Sequence, residues 1–298
     1  MKFKKSSSQE NLVLSKDHYT LKEFLRHIDP NKKKLKKIEA LFAGYFKSLQ
    51  TGTGFDFNEI RDYKMGDDLR HISWKATAKT GELHTKEYLA EKEIRAYFLV
   101  DVSPSMFCGN KIDPFINLLA FLLNKSQYFC EKIGGVYFSD DIQYLFPMKN
   151  VHSQSNIMFN TFFDFFNKLK DKVPTKPIKT DLSKGTNFAK QFFQKKGIIF
   201  LISDFINLIP WEKSLFNLSQ KQNIYSFQIF DPLDFKLRKR GYMTLIDPET
   251  KERFIVNTDS NSVLNTYEAF TKEKQNKLNN FLNTIGIKHL IIEKGDFL

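Results

Sequence analysis

Asp101, Ser103 and Ser105 stand at alternate positions directly after an apolar run, Tyr97-Phe-Leu-Val100, that is too short to cross a membrane. An extended loop turns residues i, i+2 and i+4 to one side, so one carboxylate and two hydroxyls converge. Hard oxygens of this kind suit Mg²⁺, or another divalent cation such as Mn²⁺ or Ca²⁺. The spacing alone is a weak signal, and two later segments add to it. Lys184-Gly-Thr-Asn-Phe188 opens a helical run and offers Thr186 from a loop. Gly197-Ile-Ile-Phe-Leu-Ile-Ser-Asp204 reads as a second buried strand ending in an acid. If the two strands are parallel neighbours, Asp101 and Asp204 emerge at one sheet edge, where open α/β sheets bind ligands. The competing assignment for the three hydroxyls is the capping of loop backbone groups.

This ordered set resembles the metal-ion-dependent adhesion site of von Willebrand factor A-like domains. The resemblance carries residue by residue onto Asp101, Ser103, Ser105, Thr186 and Asp204. Lys184-Gly185 stands where that family usually has Gly-Gly, and Phe205 follows the last acid where it usually has Gly.

A second informative stretch covers residues 55–93. Glu59, Arg61, Asp62, Asp67, Asp68 and Arg70 are packed between Tyr63 and Trp74, with Gly66 supplying a turn before the acids. The favoured reading is an ion-pair clamp that fixes a small β element onto the main sheet; the alternative is a docking surface for another protein. The pattern Arg61-Asp-Tyr-x-x-Gly-Asp-Asp-x-Arg-x-Ile-x-Trp74, followed by Lys75-Ala-Thr-Ala and by Glu87 and Glu91, resembles the bacterial domain-of-unknown-function family fifty-eight. That likeness runs from about Leu35 to the C-terminus, with Ser73 in place of the usual Asp and Lys79 in place of the usual Arg. It implies a von Willebrand factor A-like core and a physical link to a MoxR-type AAA+ ATPase.

The elements that must position these residues read as an α/β fold, a Rossmann-like von Willebrand factor A-type sandwich with an accessory β layer and an N-terminal helical segment. Residues 1–15 are polar and expected to be flexible. Residues 16–93 hold two helices, the second opened by Asp29-Pro30, and the accessory β segment; residues 94–298 hold the von Willebrand factor A-like domain. Helices are expected at 112–133, 153–170, 211–220 and 262–284, and strands at 224–230 and 288–292. The segments 134–139 and 142–147 flank Asp140-Asp141 as a hairpin whose acids serve the turn. Phe159, Phe162, Phe163, Phe165 and Phe166 are read as core. Residues 242–257 alternate about a Pro-containing turn and read as a hairpin insertion, expected to pair with the strand at 83–91.

The 298 residues, 41% hydrophobic with 31 Phe, fill a substantial core and exclude wholesale disorder. The first residues lack an apolar signal region, so the expected location is cytoplasmic, with peripheral attachment to the inner face of the membrane through partners and no integral membrane segment. Cys108 and Cys130 lack CxxC spacing and read as buried packing residues in a reducing compartment. The net charge of +12 raises nucleic acid as a partner. Its patches at 31–37 and 236–240 lack the interleaved aromatics of a single-strand platform, and nucleic acid is therefore not the expected ligand.

The leading functional expectation is a non-enzymatic, metal-dependent interaction module whose cation keeps one position for a partner's carboxylate. A Mg²⁺-dependent phosphohydrolase using Asp101 as nucleophile is the enzymatic alternative. Such enzymes need a second carboxylate two residues on, and that position is Ser103. No HExxH, P-loop or GxSxG pattern is present.

Overall fold

Residues 96–100 and 198–202 decide the architecture, because strands buried on both faces need helices above and below them. The computed structural model describes residues 20–297, apart from 30, 90–92, 172–179, 207–209, 248–249 and 251. The start expected to be flexible, residues 1–15, lies outside the described residues.

The elements run α1 (Leu21–Phe24), α2 (Lys33–Gln50), β1 (Thr51–Asp62), α3 (Trp74–Thr80), β2 (His84–Leu89), β3 (Arg95–Asp101), α4 (Ile112–Phe129), β4 (Lys132–Phe138) and β5 (Ile142–Asn150). They continue as α5 (Val151–Asp171), α6 (Leu182–Phe192), β6 (Ile198–Ser203), α7 (Glu212–Ser219), β7 (Asn223–Ile229), β8 (Tyr242–Ile246), β9 (Arg253–Asn257), α8 (Asn261–Thr284) and β10 (Lys288–Ile292). Two compact units result: one spans Lys34–Ile94, and the other joins the segment ending at Lys33 to Arg95–Leu298. The segment carrying α1 thus belongs with the larger unit, where Phe24 meets Phe159 and Phe163 of α5 edge-on at 5.4 and 6.0 Å.

The larger unit is a mixed α/β layer structure around a six-stranded sheet of order β10-β7-β6-β3-β4-β5. Five strands are parallel, and β5 returns antiparallel to β4 as the edge of a hairpin. Side chains alternate across the sheet. Tyr97, Leu99, Ile199 and Leu201 pack with Leu182 of α6, Leu215 of α7 and Leu282 of α8. On the other face Phe98 meets Phe200 at 5.2 Å, and Phe115 of α4 meets Phe162 of α5 at 4.8 Å. Phe159, Phe162, Phe163 and Phe166 are buried and Phe165 is half-buried, in keeping with a core role for the Phe-rich helix.

Several boundaries shift for local reasons. The helix expected to reach residue 133 ends at Phe129, where the Cys130 N–H closes on Ser126 O, and β4 follows. Asp29 does not open α2; its carboxylate accepts the Asn31 N–H at 2.9 Å in a local turn, and α2 starts at Lys33. The hairpin β8–β9 forms its own two-stranded sheet instead of joining the strand at 83–91. That strand, β2, pairs antiparallel with β1 of its own unit, and Thr85 bridges Ile72. Asp141 serves the turn as expected, its carboxylate accepting the Ile142 N–H at 2.8 Å. Cys130 is buried, which pushes its thiol up to about 12, whereas Cys108 is exposed and so not the packing residue expected. Among the described residues no helix is long and apolar enough to cross a membrane.

Gly185 of α6 lies so close to Phe138 that a Cβ there would sit 2.8–3.0 Å from three ring atoms. Gly185→Ala is therefore expected to destabilise the fold by about 1–3 kcal/mol. Gly44→Ala, in helix α2 with nothing within 4 Å, is expected to stabilise it by about 0.5–1 kcal/mol. Urea unfolding of both variants against wild type checks the contrast.

Candidate metal and interaction site

Strands β3 and β6 are adjacent and parallel, with Val100 opposite Ile202, so both chains leave the sheet at the same edge. Asp101 then lies beside Ser203, whose hydroxyl donates to Asp101 Oδ2 at 2.7 Å, and Asp204 follows one residue on. Asp101 Oδ1 accepts the Ser103 N–H at 2.9 Å, which bends the loop so that Ser103 and Ser105 face each other. Their hydroxyl oxygens are 3.0 Å apart. All five residues are essentially without solvent exposure. The turn at Pro104–Phe107 holds Ser103 at its start without a side-chain cap, so the two serine hydroxyls are spent on each other and not on the backbone.

Thr186 differs from its expected placement. It is buried within helix α6, not on a loop, because Asp181 caps the helix and starts it at Leu182. Its hydroxyl has Leu182 O at 3.0 Å, Ser183 O at 3.1 Å and Ser214 Oγ at 2.6 Å within donating reach. The backbone-capping assignment therefore holds for Thr186 and not for the serines.

Asp204 is fixed at both oxygens. Oδ1 accepts the Ile206 N–H at 3.0 Å, and Oδ2 accepts from the Lys111 ammonium at 2.9 Å. Lys111 also reaches Asp234 Oδ2 at 2.7 Å and Ser105 O at 3.3 Å, and its side chain is only 2% exposed. Sequence reasoning missed Lys111 and Asp234; the signal was only a lysine six residues beyond Ser105. The loop carrying Lys111 is pinned by Asp231, which accepts the Asn110 N–H at 2.7 Å. Gly109 there has φ +63°, and a Cβ would collide with the Asp231 carboxylate, which favours glycine.

Two carboxylates, Asp204 and Asp234, thus share one ammonium, and the buried Asp101 adds a third acid to the cluster. Burial, and then the charge of Asp204, push Asp101 up to about 7, while hydrogen bonds from Ser103 and Ser203 partly oppose this. Burial pulls the Lys111 ammonium down, but Asp204 and Asp234 outweigh it and its pKa lies above the ordinary lysine value. Burial also raises Asp234.

The donor set fits a hard divalent cation. Two ligands at right angles and about 2.1 Å from an octahedral ion are about 3.0 Å apart, the spacing found between Ser103 Oγ and Ser105 Oγ. With Asp101 ionised, the carboxylates exceed the ammonium by two charges, which a dication matches. Among the described residues no cluster of three or more His, Cys, Asp or Glu suits a metal, and a cation bound here would need hydroxyl oxygens as well as carboxylates.

Phe205 occupies the position after Asp204 with φ +57°, in the left-handed region. A side chain there costs roughly 1–2 kcal/mol that glycine avoids. The ring is held by Trp211 and His289, with centroids 5.6 and 5.8 Å away. The backbone keeps a glycine-like turn although the residue is Phe.

In the smaller unit two acids pair with arginines a few positions away. Arg61 grips Asp67 through two bonds of 2.8 and 2.9 Å, and Asp68 accepts from Arg70 Nη2 at 2.6 Å. These partners hold both acids below the usual carboxylate range, Asp67 at about 2. Gly66, at φ +105°, makes the turn. Asp62 is exposed and lies 3.1 Å from His84 Nδ1, and Tyr63 is half-buried. Trp74 is 69% exposed, at the start of α3.

The comparisons with known proteins agree with the motif. The family model described as "Protein of unknown function DUF58" matches residues 59–277. "Uncharacterized protein Rv1480" of Mycobacterium tuberculosis (strain ATCC 25618 / H37Rv) is 23% identical over 220 residues, covering 72% of this chain and 67% of that protein. The "conserved hypothetical protein BatB" of Bacteroides thetaiotaomicron aligns with 64% of this chain and 98% of its own, at 12% identity and a TM-score of 0.38. The manganese-loaded TRAP protein of Plasmodium vivax aligns with 46% of this chain and 57% of its own, at 14% identity and a TM-score of 0.35.

Two measurements test the frame of the site. Phe205→Ala keeps the left-handed strain and loses the ring, so it should be less stable than Phe205→Gly by about 1 kcal/mol in urea melts. Burial lowers His289 to about 4. Its neutral ring contributes stability above pH about 6.5 that is lost as pH falls toward 4. Wild type should lose more unfolding free energy across that window than His289→Gln.

Proposed function

The chain belongs to the family "Protein of unknown function DUF58", and from that premise we propose that it is a von Willebrand factor A-like, non-enzymatic interaction module. Asp101, Ser103 and Ser105 hold a divalent cation, Mg²⁺ in the first instance, with Thr186 and Asp204 at its border. The observation that carries this reading is the 3.0 Å pairing of two buried serine hydroxyls beside a buried carboxylate. When bound, the cation supplies a Lewis-acid position with a strict demand for oxygen ligands. The protein's own part is to keep Ser103 and Ser105 oriented, through the Ser103 N–H bond to Asp101, and to hold the loop against Lys111. A partner carboxylate then completes the site, and a surface without a correctly placed acid cannot. Asp101 is a poor nucleophile candidate, since the position for an acid–base carboxylate is the buried hydroxyl of Ser103.

The partner we propose is a MoxR-type AAA+ ATPase, in the assembly or activation of other proteins, with membrane attachment only through partners. A second reading has one observation in its favour: Trp74, Leu69 and Met65 are exposed around the Arg61–Asp67 and Asp68–Arg70 pairs and could form the docking surface.

Affinity capture from cell extract separates these. Wild type in Mg²⁺ is expected to retain an AAA+ ATPase, and both EDTA and Asp101→Asn are expected to reduce its recovery at least about tenfold, as loss of a metal-bridged carboxylate demands. Retention indifferent to both, but lost in Trp74→Ala, would replace metal-dependent binding with docking through the smaller unit. Nucleic acid in the eluate that vanishes with salt and ignores EDTA would point to the positive charge instead.

A further inference from the structure

Lys111 touches three parts of the site at once. Its ammonium has three N–H donors, and they meet three acceptors: Asp204 Oδ2 at 2.9 Å, Asp234 Oδ2 at 2.7 Å and Ser105 O at 3.3 Å. No donor is left over, and the side chain is sealed from water. The pairing uses the oxygen of Asp204 that a metal would need, because the other one already accepts the Ile206 N–H. A dication drawing on Asp204 must therefore displace a buried ammonium or sit beside it, and like charges at that range repel strongly at low dielectric.

We propose that Lys111 is a built-in cation that competes with the divalent ion for Asp204. The inference rests on the metal-dependent reading above and deepens it. Lys111 leaves Asp101, Ser103 and Ser105 as the direct ligands and keeps the site's affinity low. A weak site of three protein oxygens gains most from a partner's carboxylate. By linkage, partner and metal then tighten each other's binding by the same factor. An ammonium on a four-carbon stem suits this role, since Asp234 keeps hold of it when Asp204 turns to the metal.

The test is Mn²⁺ binding by the full chain, followed by calorimetry and by the shift of the melting temperature. Lys111→Met frees Asp204 but leaves both it and the half-buried Asp234 without their cation, so the double variant Lys111→Met/Asp234→Asn is measured beside it. The double variant has the same net charge as wild type, and any gain in affinity comes from the freed Asp204 and not from bulk charge. Both variants are expected to bind Mn²⁺ on the order of 10- to 100-fold more tightly than wild type. Their melting temperatures are expected to rise more with Mn²⁺ than that of wild type. Equal or weaker binding by the folded double variant overturns the proposal. If in that case wild type still binds Mn²⁺ and Asp101→Asn does not, the interaction-module reading survives alone. If wild type binds none and the double variant binds, Lys111 is the site's cation outright and metal dependence of the natural chain falls. If no form binds, both fall.

Discussion

The parallel pairing of β3 with β6 is the constraint on which the rest depends. It brings Asp101, Ser203 and Asp204 out of the sheet together, at a depth where water does not reach them. Buried carboxylates must be protonated, paired or metal-bound, because uncompensated charge at low dielectric is expensive. The protein meets this demand unevenly. Asp204 and Asp234 share the ammonium of Lys111, while Asp101 receives only hydrogen bonds, from the Ser103 N–H and the Ser203 hydroxyl. That imbalance leaves the Asp101 carboxylate, unlike those of Asp204 and Asp234, without a cationic partner among the described residues.

The surrounding loops are organised to keep this imbalance. Asp231 pins Gly109 and Asn110, which sets where the Lys111 stem begins. Phe205 accepts a backbone conformation costly for any side chain, and its ring is held between Trp211 and His289. Gln228 donates to the Asp204 carbonyl at 3.3 Å and so links that turn to β7. Gly185 lets α6 approach Phe138, which brings Thr186 to its buried place. Each of these contacts acts on loop geometry, and together they fix side chains that sit just beyond the ends of two strands.

The smaller unit follows a different logic. Its charged residues satisfy one another within a few positions, the half-buried Arg61 with Asp67 and the exposed Asp68 with Arg70. Exposed pairs of this sort contribute little to stability. They do hold the turn at Gly66 in a defined shape, next to apolar side chains that face solvent at Met65, Leu69 and Trp74.

The sequence alone determined the two acid-terminated strands, the Asp-x-Ser-x-Ser loop, the Phe-rich core helix, the hairpin at 242–257 and the family motif. These are local patterns: apolar runs set by burial, turn residues set by φ, and a spacing of two set by extended backbone. Tertiary structure alone decided what depends on residues distant in the chain. It put Thr186 in a helix, because the Asp181 cap starts that helix earlier than the Lys184-Gly185 turn suggested. It left β8–β9 as a separate pair, while β2 pairs with β1. It also brought Lys111 onto Asp204, 93 positions away, and onto Asp234. No periodicity or spacing encodes that ion pair. A lysine is legible as a counter-ion only once folding has taken water away from the acids around it.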